Sequence, residues 1–147
     1  MKILIITVGR KNNPGLSEEI ADFSGRLSHY ADIEWKILPP SDVEKEGEAI
    51  VGATNERDYV TLLDEKGKTI DSPGLATFIQ KRLNEATHRL VFVIGGAYGV
   101  SQKVRDMART TISLSALTFP HQIVRLILIE QIYRAFTIVR GEKYHHS

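Results

Sequence analysis

Short apolar runs alternate with segments of helical spacing along the chain, and this alternation constrains the fold more than any other feature of the sequence. Runs rich in β-branched residues occupy positions 2–9, 33–37, 59–64, 90–94 and 111–115. Helical spacing or helix-start signals mark 16–30, 41–54 and 72–83, and further helices begin after 101 and at 120. Five strands interleaved with five helices predict an α/β fold with a mainly parallel sheet and helices on both faces.

Small polar residues and prolines predict where these elements begin and end. Ser17, Ser72 and Ser101 are the predicted N-caps, with Pro73 at the first position of its helix. Pro120 opens the last and longest helix. A turn through Gly67 is predicted to close the third strand.

Composition narrows the class of protein. A chain of 147 residues suits one domain, and 19 Lys and Arg against 18 Asp and Glu give no global basic field. The absence of Cys excludes disulfides, thiolate zinc sites, iron–sulfur clusters and a cysteine nucleophile. No apolar run approaches the ~20 residues of a membrane-spanning helix, and the N-terminus does not resemble a signal peptide. These features predict a cytosolic location without membrane association.

Charge is uneven along the chain. Residues 41–59 carry six acids and two bases, whereas residues 78–110 carry six bases and two acids. The basic segment is either a set of solvated helix faces or a local phosphate-binding face.

A glycine-rich segment at 95–101 lies between the fourth strand and the next helix. Glycines here either make a tight turn or let the backbone approach a ligand. No dinucleotide-binding fingerprint follows the first strand, and no phosphate-binding G-x-x-x-x-G-K-[ST] motif occurs. Ordinary nicotinamide chemistry and ATP hydrolysis are therefore disfavoured.

An uncharged stretch at 110–120 alternates small hydroxyl and apolar side chains before His121. It suits either a buried strand and turn, or the wall of an apolar pocket whose backbone groups hydrogen-bond a purine edge. After the last helix, Tyr144 and His145 form a polar pair suited to a substrate pocket.

Several of these segments together carry a family resemblance. The ordered motifs are Leu63-Asp64-Glu65-Lys66-Gly67-Lys68, Ile94-Gly95-Gly96-x-x-Gly99, Leu114-Ser115-Ala116-Leu117-Thr118-Phe119-Pro120-His121, Tyr133-Arg134-Ala135 and Tyr144-His145. The chain resembles the ribosomal RNA large subunit methyltransferase H family, small members of the SPOUT methyltransferases, over essentially its whole length.

The resemblance implies a single SPOUT methyltransferase domain over residues 1–147 with a C-terminal trefoil knot, a rare exception to unknotted folding. It also implies a homodimer that binds S-adenosylmethionine in the knot and needs no metal. The implied reaction is methylation of N3 of a pseudouridine in 23S rRNA on the assembled 70S ribosome.

Site residues follow from the same motifs. Tyr144 and His145 are implied to be catalytic, and Arg134 and Lys143 to bind RNA. The residues implied to bind the cofactor are Leu63, Gly95, Gly96, Leu114, Ser115, Ala116, Leu117, Thr118 and Phe119.

Methyl transfer from a sulfonium is an in-line displacement, so the protein must mainly align nucleophile and methyl group. The N3–H of pseudouridine must also lose its proton, and Tyr144 and His145 are candidates for organising the base. His121 is a second choice, although it could equally serve at the helix start. Arg134 could bind phosphate or pair with Glu130, four residues before it.

Two other functions remain open at this point. One is a ribosome-binding factor on the same fold that has lost catalysis. The other is a SPOUT enzyme acting on tRNA, which the absence of an added RNA-binding domain disfavours. For the homodimer that the resemblance implies, the wide apolar face of the last helix is the predicted contact.

Overall fold

Strands and helices alternate strictly in the computed structural model, which describes residues 1–146. Within those residues the five strands are β1 (Lys2–Val8), β2 (Asp32–Leu38), β3 (Asp58–Thr69), β4 (Arg89–Ile94) and β5 (Thr110–Ser113). The five helices are α1 (Pro14–Leu27), α2 (Val43–Gly52), α3 (Ser72–Asn84), α4 (Gln102–Met107) and α5 (His121–Val139). The predicted alternation is confirmed.

The strands form one sheet in the order β2-β1-β4-β3-β5, and every neighbouring pair is parallel. Thr7 of β1 and Leu63 of β3 both align with Ile94 of β4. The carboxyl ends of these central strands therefore meet at one edge, which brings together the loops that follow them.

Both faces of the sheet are covered, as the sequence predicts. Ile5 and Phe92 pack on the side of α1, α3 and α5, whereas Ile6 and Val93 pack on the side of α2 and α4. Successive residues of a strand point to opposite faces. A strand buried on both faces therefore needs a continuous apolar run, which is the pattern of β1 and β4.

Helix α5 contacts both α1 and α3 and buries much of its apolar surface within the same chain. Leu128, Ile132 and Ala135 are fully buried. Ile123 is 40% exposed, and Leu126 and Ile127 are only half-buried. One side of α5 near its start therefore keeps apolar surface in contact with solvent.

Two predicted N-caps were wrong. Helix α1 begins at Pro14 with Asn13 as N-cap, so Ser17 lies in the first turn. Asp71, not Ser72, caps α3, and its carboxylate accepts a backbone N–H three residues later at 2.8 Å. Pro14 fixes a helical φ and starts α1 four residues before the position that a Ser17 cap predicts, whereas α3 starts only one residue early, because Asp71 competes with Ser72 as the cap. The cap at Ser101 is confirmed.

The predicted turn at Gly67 was also wrong. Strand β3 continues to Thr69, with a shift in its register against β5 between Leu63 and Lys68. A Cβ on Gly67 would lie 2.9 Å from the β5 backbone, so the glycine permits close strand approach. Strand β5 itself ends at Ser113, and the residues after it form a loop.

Candidate functional site

A cavity of about 260 Å³ opens at the carboxyl edge of the sheet. Three chain segments line it: 63–65 at the bend of β3, 94–100 after β4, and 113–119 after β5. His121 and Val124 of α5 complete the wall. The cavity is close to the lower end of the range for small-molecule sites, ~300 Å³.

The sequence-predicted cofactor residues lie together at this cavity. Eight of the nine line it: Leu63, Gly95, Gly96, Leu114, Ser115, Leu117, Thr118 and Phe119. Ala116 is exposed and does not line it. Three segments distant in sequence thus form one concave surface.

The glycine-rich loop after β4 is closely packed. A Cβ on Gly95 would lie 2.5 Å from the Val100 side chain, and one on Gly96 would lie 2.7 Å from a Glu46 carboxylate oxygen. Gly99 has φ +85°, and its N–H donates to the Gly96 carbonyl at 3.1 Å. The segment is a tight turn and also a cavity wall, so the two interpretations of its glycines are compatible.

Side-chain hydrogen bonds shape the loop after β5. The Ser113 hydroxyl donates to the Ser115 carbonyl at 2.8 Å, and the Leu117 N–H donates to the Ser115 hydroxyl at 3.0 Å. The Thr118 hydroxyl donates to the Glu65 carboxylate at 2.9 Å, which joins this loop to β3. Short hydroxyl side chains therefore satisfy one another locally and hold an irregular backbone against the cavity.

Asp64 and Glu65 place two carboxylates in the cavity wall. Asp64 pairs with Arg105 at 2.8 Å. Burial alone would raise its pKa, but the hydrogen bonds from the Lys66 N–H and from Arg105 hold the pKa of Asp64 below its usual value. Asp64 is therefore ionised at neutral pH. Both acids belong to the resemblance motif, yet no cofactor role was predicted for them.

The predicted catalytic pair, Tyr144 and His145, lies in a different place. Both residues follow α5 in the chain and pack against its second half. The Tyr144 hydroxyl donates to Glu130 Oε1 at 3.2 Å. Arg134 donates to the same oxygen from Nε at 3.0 Å and from Nη2 at 2.6 Å. The Arg134 guanidinium also lies 4.8 Å from the Tyr144 ring centroid and 3.2 Å, through Nη1, from His145 Nδ1. We call these four residues the tail cluster.

A regular helix end turns the tail back toward this cluster. The N–H of Gly141 donates to the Ile138 carbonyl, and the N–H of Glu142 donates to the Thr137 carbonyl at 2.8 Å. With Gly141 at φ +69°, this is a Schellman motif. The Glu142 carboxylate accepts from Tyr30 at 2.6 Å, and this hydrogen bond is the main cause that raises the pKa of Tyr30 to about 12.

Hydrogen bonds define what the tail cluster can do chemically. Burial, followed by the charge of Glu130, raises the pKa of Tyr144, so its phenol is protonated at neutral pH. Arg134 can only donate, so His145 Nδ1 accepts and the proton of the neutral ring lies on Nε2. In this arrangement both Tyr144 and His145 are hydrogen-bond donors. Arg134 pairs with Glu130, which confirms one of its two predicted roles.

The tail cluster and the cavity are separate within one chain. None of Glu130, Arg134, Tyr144 and His145 lines the cavity. Glu130 lies nine residues after His121 on α5, a distance of about 13 Å along the helix axis. The structure thus groups the cofactor candidates in one place and the catalytic candidates in another.

Four of the six bases in segment 78–110 lie within salt-bridge distance of an acid, and the other two, Lys81 and Arg109, are exposed. Arg89 pairs with the buried Asp58 at 2.6 Å, and Lys103 pairs with Glu48 at 3.3 Å. Arg82 is buried at the opposite edge of the sheet from the cavity. Of the two interpretations, that of solvated helix faces fits Lys103 but not Arg82, which is buried, or Arg89, which belongs to a strand. Lys143, by contrast, is exposed and has no ion pair within residues 1–146.

Comparison with known proteins decides the family. A family model described as "Predicted SPOUT methyltransferase" matches residues 1–145. The chain is 44% identical to the ribosomal RNA large subunit methyltransferase H of Parabacteroides distasonis, with all of both chains covered. It is 43% identical to the proteins of the same name from Christiangramia forsetii, with 99% of each chain covered, and Flavobacterium johnsoniae, with all of each covered. The chain belongs to the ribosomal RNA large subunit methyltransferase H family of SPOUT methyltransferases. The predicted resemblance is confirmed.

Membership of a SPOUT methyltransferase family makes the cavity the candidate active site. Sequence reasoning did not assign Ile94, Val100 or Val124 to it, although all three line the wall. Their signal is weak because each is also an ordinary apolar core residue. Over residues 1–146, no group of three His, Asp or Glu side chains is placed to hold a metal ion. No helix in that range is long and apolar enough to span a membrane.

Proposed function

We propose that the protein transfers a methyl group from S-adenosylmethionine to N3 of a pseudouridine in 23S rRNA on the assembled 70S ribosome, in the cytoplasm. The observation that carries the proposal is the cavity that three motif segments build at the carboxyl edge of the sheet. The names of the full-length relatives give the substrate class.

The cavity fits the proposed cofactor. Its walls include the apolar side chains of Leu63, Leu114 and Phe119, which suit an adenine ring. Arg105 neutralises Asp64, whereas Glu65, which forms no salt bridge within residues 1–146, gives a negative potential at the wall that favours a sulfonium cation. S-adenosylmethionine would supply the methyl group when bound. Gly95 and Gly96 would let the loop keep the tight turn that presents its backbone to the cofactor, since a Cβ at either position would collide with Val100 or Glu46.

The proposal includes a trefoil knot in the C-terminal part of the chain, as the family resemblance implies. The loop after β4 and the loop after β5 line the same cavity, and α5 follows directly from the second of them. That arrangement supports a path in which the chain end passes through the cofactor-binding loops.

A homodimer resolves the separation between the tail cluster and the cavity. Ile123, Leu126 and Ile127 form the apolar side of α5 that the chain leaves uncovered. If two α5 helices cross antiparallel near Ile127, position 134 of one helix lies level with position 120 of the other. The tail cluster of one subunit then lies beside the cavity of its partner. A monomeric mass in light scattering would overturn this arrangement.

In the shared site, Tyr144 and His145 orient the target base. His145 Nε2–H, which has no partner within residues 1–146, can donate to a carbonyl oxygen of the pseudouridine. That bond would stabilise the anion formed when N3 gives its proton to solvent water. Tyr144 holds the Glu130–Arg134 pair in place. Lys143 and the remaining donor capacity of Arg134 contact the RNA backbone.

The test is transfer of a labelled methyl group from S-adenosylmethionine to unmethylated 70S ribosomes, isolated 50S subunits and a tRNA pool. The proposal predicts label on 70S ribosomes at one pseudouridine. Tyr144→Phe and His145→Ala should each reduce that label while calorimetric binding of S-adenosylmethionine is retained. Label on tRNA alone would overturn the substrate. Binding of the cofactor and ribosomes without transfer would instead indicate a ribosome-binding factor.

A further inference from the structure

A buried arginine without a carboxylate partner holds the loop after β1. Arg125 of α5 is 1% exposed, and no salt bridge joins it to an acid within residues 1–146. It donates to the Thr7 hydroxyl at 3.0 Å, and from Nη1 to the Arg10 carbonyl at 2.7 Å and to Asn12 Oδ1 at 2.8 Å. Burying a guanidinium whose only partners are neutral dipoles has a high desolvation free energy. The fold therefore accepts a loss of stability to keep this loop conformation.

Gln122 adds a second connection between the same elements. Its Oε1 accepts the Asn13 N–H at 2.7 Å, and its Nε2 donates to the Lys11 carbonyl at 3.3 Å. A Cβ on Gly9 would lie 3.3 Å from Arg125 Nη2, so the loop also passes close over the guanidinium. We call residues 9–13 the basic loop. Its backbone is fixed to the start of α5 from two sides.

What the basic loop presents to solvent is positive charge. Arg10 and Lys11 are exposed, and neither forms a salt bridge within residues 1–146. No acid precedes Glu18 in the sequence, and the first turn of α1 contains none. Two cations on a fixed backbone, without local neutralisation, suit a ligand with regularly spaced negative charges.

The position of the basic loop indicates where such a ligand would run. β1 lies next to β4, and Thr7 aligns with Ile94, whose strand continues into the cavity wall. Gln122 follows His121, which lines the cavity. A polyanion bound here therefore passes the edge of the site where the target base must enter. This step rests on the proposed function, which makes the polyanion RNA.

We propose that the basic loop binds phosphates of the ribosomal RNA flanking the target nucleotide, with Arg10 and Lys11 as the contacts and Arg125 and Gln122 as positioning residues. The loop supplies register and affinity without reading sequence.

The test compares Arg10→Ala/Lys11→Ala with the wild-type protein for binding to 70S ribosomes and for methyl transfer, at 50 and 200 mM salt and constant Mg²⁺. Each phosphate contact contributes about 0.7–0.9 to the slope of log affinity against log salt. Between 50 and 200 mM salt the affinity of each protein falls by some factor. After the loss of two contacts, that factor should be about 7 to 12 times smaller than it is for the wild type. Calorimetric binding of S-adenosylmethionine should be unchanged.

Two further variants test whether the place of the removed charge matters and whether the loop backbone must be held by Gln122. Arg57→Ala/Lys81→Ala removes the same charge from exposed positions at the amino edge of the sheet and should leave the salt slope at the wild-type value. Gln122→Ala keeps both cations but removes one of the two connections that fix the loop, so it should weaken ribosome binding while the salt slope stays near the wild-type value.

The outcomes distinguish this inference from the proposed function. A wild-type salt slope in Arg10→Ala/Lys11→Ala, or an equal loss in the control, would overturn the basic loop as an RNA contact. Absence of ribosome binding by the wild-type protein would overturn it too. If the wild type binds ribosomes but transfers no methyl group, the proposed function fails and the slopes still decide the role of the loop.

Discussion

Replacing Glu130 by Gln tests whether the tail cluster belongs to the active site. One carboxylate oxygen of Glu130 accepts Arg134 Nη2 at 2.6 Å, Arg134 Nε at 3.0 Å and the Tyr144 hydroxyl at 3.2 Å. Glutamine has nearly the same shape but no charge. If its side chain turned by about 180°, its NH₂ group would face the donors of Arg134 and Tyr144 and could not accept from them. The change therefore removes the attraction that fixes Arg134 and Tyr144 and leaves the helix intact.

The magnitude follows from the burial of the cluster. Hydrogen bonds to charged groups contribute about 1.5–3 kcal/mol each. The Arg134 and Glu130 side chains are 25% and 18% exposed, which puts the loss toward the lower end, so we expect unfolding to become easier by about 1–2 kcal/mol. A shift of about 1 Å in Tyr144 or His145 would lower kcat by about 100-fold.

The assay is methyl transfer to 70S ribosomes under saturating S-adenosylmethionine, together with an ultraviolet titration of the tyrosines. Glu130→Gln should lower kcat, leave the cofactor dissociation constant unchanged, and lower the pKa of Tyr144, which Glu130 now raises. Glu48→Gln is the matched control, because Glu48 pairs with Lys103 on an exposed surface. A wild-type kcat for Glu130→Gln despite a lower melting temperature would refute the role of the cluster.

Two other predictions concern the cavity and the sheet. Gly95→Ala should weaken calorimetric binding of S-adenosylmethionine by at least about tenfold, because its Cβ would lie 2.5 Å from Val100, whereas Gly15→Ala, with no atom within 4 Å, should not. Asp58→Asn should lower the free energy of unfolding by about 3 kcal/mol at pH 7, because it breaks the buried pair with Arg89. Although burial by itself would raise the pKa of Asp58, the bonds from Arg89 and from the Asn55 backbone lower it, so its contribution is present at neutral pH and is lost as pH falls below about 4. Urea unfolding of the wild type and Asp58→Asn at pH 7 and pH 3 measures the destabilisation and its pH dependence. An equal loss of unfolding free energy at pH 7 and pH 3 would contradict the predicted pH dependence.

Local sequence signals were reliable where one physical rule controlled the outcome. Strands β1 and β4 are continuously apolar because both faces of the sheet are covered, and that pattern predicts them correctly. The cap at Ser17 failed because Pro14 allows α1 to begin earlier, and the cap at Ser72 failed because Asp71, one residue before it, also accepts a backbone N–H of the first turn. Where two acceptable residues compete within one turn, propensity alone does not choose between them.

Long-range contacts escaped sequence reasoning for a different reason. Gly67 looks like a turn residue, yet its role is to let β3 and β5 approach, which depends on a strand more than 40 positions away. Arg125 looks like one more basic residue on a helix, but the fold buries it against the β1–α1 loop. Neither role leaves a local pattern.

By itself, the sequence determined the alternation of strands and helices, the two-sided burial of the sheet and the motifs that identify the family. Those properties depend on local periodicity and on residue type. The tertiary structure alone decided that the cofactor candidates gather in one cavity. It also decided that Tyr144 and His145 fold back onto Glu130 and Arg134. Along α5, Glu130 lies about 13 Å from His121 in the cavity wall. The physical reason is that parallel strands bring distant loops to one edge, whereas the Schellman turn at Gly141 directs the chain end along the helix.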